Sequence, residues 1–135
     1  MTDEAQVTET TENTPPAPPD IKNLLNQITS KPDKETLDAW KAEHGEIFVF
    51  AASETEMFIF HPISRPLWTK LNRLVAENPE VDQEVETIKA VTLWKSLSDS
   101  EMEKKAGLFA SYANTIMEHS AFMPPQVASI LTVKL

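Results

Sequence analysis

The sequence predicts an α+β fold, a mostly helical single domain built around one β-hairpin and preceded by a disordered acidic tail. Three observations point there. Four of the six phenylalanines crowd into EIFVFAASETEMFIF, residues 46–60, where two apolar runs flank a polar turn. Two glycines against ten prolines favour helices with punctuated connections over many tight turns. Residues 1–19, MTDEAQVTETTENTPPAPP, carry too little apolar surface to offset the entropy of ordering. The expected division is therefore a tail over 1–19 and a helical domain over 20–135, with the hairpin near 46–61.

The elements follow in order. Ile21, Leu24, Leu25 and Ile28 recur at helical spacing behind Asp20, an N-cap residue type. A second helix is expected after Ser30, with Pro32 in its first turn, Leu37 and Trp40 on one side and Gly45 as its stop. In the hairpin, Ile47, Val49 and Ala51 alternate with Phe48 and Phe50, and Met57 and Ile59 with Phe58 and Phe60. Both faces are apolar, so the hairpin must be covered twice or meet another chain.

Pro62 ends the second strand, and Ser64 can cap a helix that tolerates Pro66 in its first turn. Leu67, Trp68, Leu71, Leu74 and Val75 stripe that helix until Asn78-Pro79. Another is expected from about Asp82 to Trp94, with Val85, Ile88 and Val91 or Leu93 inward. Ser98 and Glu101 have capping-box spacing ahead of a helix that Gly107 interrupts and that Leu108, Tyr112, Ile116 and Met117 continue to His119. After Pro124 and Pro125, QVASIL reads as a last short helix.

Charge and composition exclude several functions. Five of the carboxylates behind the net charge of -9 are Asp3, Glu4, Glu9, Glu12 and Asp20, and residues 1–20 hold no Lys or Arg. No clustered basic face is visible, so nucleic acid is not an expected partner. The absence of cysteine removes disulfides and thiolate metal sites. No run approaches the roughly 18 apolar residues of a membrane span, and the amino terminus lacks a signal-peptide pattern. The expectation is a soluble protein made inside the cell, with no membrane partner.

Catalytic chemistry finds little to use. Glu43-His44 and Glu118-His119 are adjacent pairs that diverge on a helix, and the zinc-binding i, i+4 histidine spacing is missing. His61, at a strand end, is the one histidine with a proton-transfer or metal role to consider. Asp82, Glu84 and Glu86 fan around a helix start. There is no phosphate-binding glycine loop, nucleophile elbow or cysteine nucleophile, so no catalytic residue, cofactor or metal ligand is assigned. Trp40, Trp68 and Trp94 each sit among aliphatic neighbours and read as core or as interface anchors. Arg65 stands at a helix start, where a cation is unfavourable unless a carboxylate or carbonyl holds it.

The order of parts resembles a group of small tailed-bacteriophage proteins, tail or baseplate assembly chaperones and virion structural proteins. Phe58, Phe60, Pro62, Ile63, Ser64 and Arg65 match an aromatic strand stepping into a helix, with His61 where Arg is usual. Leu93 and Trp94 match a later step, with Lys95 in place of Pro, and Ala106, Gly107, Ile116, Ser120 and Phe122 match a closing helix. The resemblance spans about residues 46–122. It implies a non-enzymatic chaperone in the host cytoplasm that binds a tail, tape-measure or baseplate hub protein, or alternatively a virion-resident structural or adaptor subunit. Partner binding is expected at Phe48, Phe50, Phe58, Phe60, Arg65 and Trp68, with self-association through the hairpin as a further expectation.

Overall fold

The computed structural model describes residues 20–123 and 125–135. The expected tail over 1–19 lies outside them. The chain order is α1 (Ile21–Asn26), α2 (Lys34–His44), β1 (Phe48–Ala51), β2 (Met57–Phe60), α3 (Arg65–Glu77), α4 (Gln83–Val91), β3 (Thr92–Lys95), α5 (Asp99–Glu103), α6 (Ala106–His119) and α7 (Pro125–Ile130). This is an α+β arrangement in which helices predominate.

The caps are local chemistry. Asp20 accepts from the Asn23 amide at 3.1 Å, Asp33 from Thr36 at 2.8 Å and Ser64 from Leu67 at 3.3 Å. Each side chain satisfies one of the amides that a helix start leaves without a partner. Ser98 and Glu101 form the full reciprocal capping box. Because Asp33 is the cap of α2, the helix begins at Lys34 and Pro32 precedes it instead of lying in its first turn. Gly45 stops α2 at φ +80°, a conformation that glycine adopts without a Cβ clash.

The hairpin forms with Phe48 opposite Phe60 and Phe50 opposite Phe58. Its turn needs no glycine, because Ser53 Oγ accepts from the amides of Thr55 and Glu56. The sheet does not end there. Thr92–Lys95, whose first three residues were expected to end a helix running to Trp94, is an antiparallel strand on the other edge of β2, and α4 stops at Val91. Strand order is β1-β2-β3. The Thr-Leu-Trp stretch has β-forming side chains, and the free edge of β2 supplies the hydrogen-bonding partner that helical periodicity cannot reveal.

Central position explains why β2 is apolar on both faces. Met57, Phe58, Ile59 and Phe60 are all buried, as a strand paired on both edges and covered on both faces requires. Phe58 and Phe60 join Ile63, Ile88, Val91, Leu97, Met102, Tyr112, Ala113 and Ile116 in the core, which places α4, α5 and α6 on that face. A break at Lys104-Lys105 separates α5 from α6, and Gly107 lies inside the first turn of α6, so it does not cause the interruption expected there.

Buried polar groups are paired. Tyr112 Oη and Thr92 Oγ1 are 2.7 Å apart. Ser120 Oγ accepts from the Ile63 amide at 2.8 Å and donates to the Ile116 carbonyl at 2.7 Å, tying the entry of α3 to the end of α6. Ser96 Oγ links the Met57 amide to the Thr55 carbonyl. Among the described residues no buried side-chain polar atom lacks a partner.

Candidate functional site

The six residues expected to bind a partner fall into three groups. Phe58 and Phe60 present no surface, each being 0% exposed. Phe48 and Phe50 are half-buried and belong to the same aromatic cluster, since Phe48 lies 5.7 Å from Phe60 and 4.6 Å from His119, and Phe50 lies 5.8 Å from Tyr112. Phe58 and Phe60 are therefore packing residues, and Phe48 and Phe50 pack partly against the same cluster, which Tyr112 of α6 joins. Trp68 is half-buried, and Arg65 is exposed. Of the two holders considered for Arg65, a carboxylate or a carbonyl, no carboxylate is found, because no ion pair among the described residues includes it.

The histidines do not converge on a chemical task. His44, at the end of α2, stacks on His61 with ring centroids 4.0 Å apart and planes 3° from parallel. Ring lone pairs of parallel stacked imidazoles lie in parallel planes and cannot meet at one ion. His61 Nδ1 is also 2.9 Å from the Pro62 carbonyl. Asp82 caps α4 and Glu86 faces Lys89 at 4.0 Å, so two of the three acidic residues at that helix start have structural partners. Among the described residues no group of three metal-binding side chains gathers.

Exposed apolar surface is concentrated elsewhere. Among the described residues, every exposed large hydrophobic residue lies between Phe122 and Leu135, with Ile130 at 82% and Leu131 at 68%. Val127, Ile130 and Leu131 have i, i+3, i+4 spacing and share one side of α7 and its end. This segment leaves the body at a defined joint. The amide of Phe122 donates to the Met117 carbonyl and that of Ala121 to Glu118, a Schellman ending of α6, and Ala121 takes φ +67°. The Phe122 ring then lies 4.8 Å from Trp68 of α3. Thus Trp68 has a role at this joint, which its place in the leucine stripe did not indicate.

No family model, curated protein or solved structure matches the chain. Function rests on the residues themselves.

The sequence assigned no partner-binding role to any residue beyond Trp68. QVASIL was legible as a helix, but whether a short apolar helix is buried or bare depends on neighbours distant in the chain. The pattern that could have marked it is the run Val127, Ile130, Leu131, Val133, Leu135 with only Lys134 as a charge. A core helix could carry the same run.

Proposed function

We propose that this chain is a non-enzymatic assembly chaperone of a tailed bacteriophage, acting in the cytoplasm of the bacterial host and holding a tail, tape-measure or baseplate hub protein until it is placed. The observation that carries the binding part of this reading is the gathering of exposed apolar residues between Phe122 and Leu135. An apolar helical face set against an otherwise polar surface suits a helix-in-groove contact, with Val127, Ile130 and Leu131 as anchors. The resemblance of residues 46–122 to phage assembly proteins supplies the class of partner.

Magnitudes favour a reversible complex. Burying each anchor contributes about 1.5–3 kcal/mol, while association costs at least about 4 kcal/mol in lost freedom. Three anchors alone give a weak complex, as release of a client demands. The acidic residues of the 1–19 segment and the net charge of -9 oppose self-aggregation of so apolar a face.

The test replaces Ile130 and Leu131 with glutamate in the full chain. Both are exposed, so melting temperature and far-ultraviolet circular dichroism should stay unchanged while co-purification with a tail or hub protein is lost. Retention of that protein by the double variant would remove the support for this reading.

A further inference from the structure

Helix α3 carries a second feature that the proposed function does not use. Arg65, Thr69 and Arg73 follow each other at i, i+4 and i+8, and Lys70 stands beside them. With Pro66 they line an open concavity of about 430 Å³ that no carboxylate borders. All five residues are exposed. None of the three cations takes part in an ion pair among the described residues, although the chain has far more acidic than basic residues. Glu77 and Glu86 lie on the far side of Lys70 and Arg73, in the neighbouring groove, and make no ion pair with them, so the three cations that face this concavity repel one another and lower their energy beside a polyanion.

We propose that this face is the docking surface for the acidic segment 1–19 of the same chain. That segment holds Asp3, Glu4, Glu9 and Glu12 with no Lys or Arg, so the charges complement the stripe one for one, with a carboxylate to spare. Length permits it. Nineteen residues ahead of Asp20 span up to about 60 Å when extended, well over the diameter of a body whose radius of gyration is about 13 Å. Tethering supplies the affinity that exposed charges lack, because a segment joined to the same chain is held at an effective concentration of order 1 mM. A contact with an intrinsic dissociation constant near that value is then about half formed. It should be sensitive to salt, since the screening length is about 10 Å at 0.1 M ionic strength.

The chain has no cysteine, so Thr10→Cys offers a unique site for a nitroxide label on the full-length protein. The expected result is paramagnetic broadening of the Arg65, Thr69, Lys70 and Arg73 amides several-fold above that of α5, abolished by 0.5 M sodium chloride and by Arg65→Glu/Lys70→Glu/Arg73→Glu. A milder glutamine triple variant serves in its place if charge reversal unfolds the chain. Broadening that is uniform, centred on another face, or unaltered by the charge changes overturns the proposal. Broadening confined to mixtures of labelled and isotope-enriched chains, and lost on tenfold dilution, assigns the contact to a second copy and overturns it as well.

Discussion

Phe58 of the central strand and Tyr112 of α6 stack with ring centroids 4.1 Å apart and planes 21° from parallel. The same tyrosine meets Phe50 at 5.8 Å and Phe60 edge-on at 5.7 Å. One helical side chain thus gathers three of the four hairpin phenylalanines. Aromatic pairs of this kind add about 0.5–1.5 kcal/mol each beyond the area they bury.

Truncating the hairpin aromatics should therefore cost stability in proportion to burial. Phe58→Ala is expected to lose about 3–5 kcal/mol and Phe48→Ala about 1–2 kcal/mol, measured by urea denaturation. Equal losses at the two sites would mean that Phe48 is as fully enclosed as Phe58.

Alkaline pH should unfold the protein through Tyr112. Burial pushes its phenol well above the ordinary value of 10, only partly opposed by the hydrogen bond with Thr92. A group whose folded pKa is raised contributes stability that is present below the unfolded value and falls away as pH climbs beyond it. Since this is the only tyrosine, tyrosinate absorbance at 295 nm reports on it alone. Absorbance should rise together with loss of helical circular dichroism, starting above about pH 10. Ionisation near 10 with the helices intact would contradict the buried placement.

Acid should weaken one link between the hairpin turn and the start of α6. Lys105 Nζ donates to the Glu56 carboxylate, which Ser53 also supports, and the two together hold its pKa below the ordinary value. A carboxylate lowered in this way stabilises the fold above its unfolded pKa and ceases to do so as pH falls through the folded one. The melting temperature of Lys105→Met should lie slightly below that of the parent at pH 7, and the gap should close towards pH 2. A gap that stays constant would show that the loss comes from the lysine stem and not from its charge.

Ala121→Gly should stabilise the protein by about 1 kcal/mol. Ala121 occupies the left-handed position of the Schellman ending at φ +67°, where a Cβ is unfavourable, and its side chain is exposed. Chemical denaturation gives the sign directly. A destabilised glycine variant would mean that the added freedom of the unfolded chain outweighs the relieved clash.

Residue patterns that act locally were legible before the fold was. Asp20, Ser64 and the Ser98–Glu101 pair announced helix starts, and Gly45 announced a stop, because each acts on amides or carbonyls within a few residues. Thr92–Lys95 was misread because its strand character depends on β2, more than 30 residues earlier. The same distance hid the fate of the hairpin. Its double apolar face announced two coverings or a partner, but only the approach of Tyr112 and Ile116 decided that Phe58 and Phe60 are core, with Phe48 and Phe50 packed against it. Burial of Phe60 and exposure of Ile130 cannot be separated by hydrophobicity, since both residues are apolar in apolar neighbourhoods.

Tagging the protein in its native context, and comparing by mass spectrometry what co-purifies from lysate with what remains in purified particles, tests the proposed function most directly. The chaperone reading predicts recovery of a tail, tape-measure or hub protein from lysate and absence of this chain from particles. Stoichiometric presence in the particle would contradict it and make the chain a structural subunit, and recovery of no phage protein would contradict both.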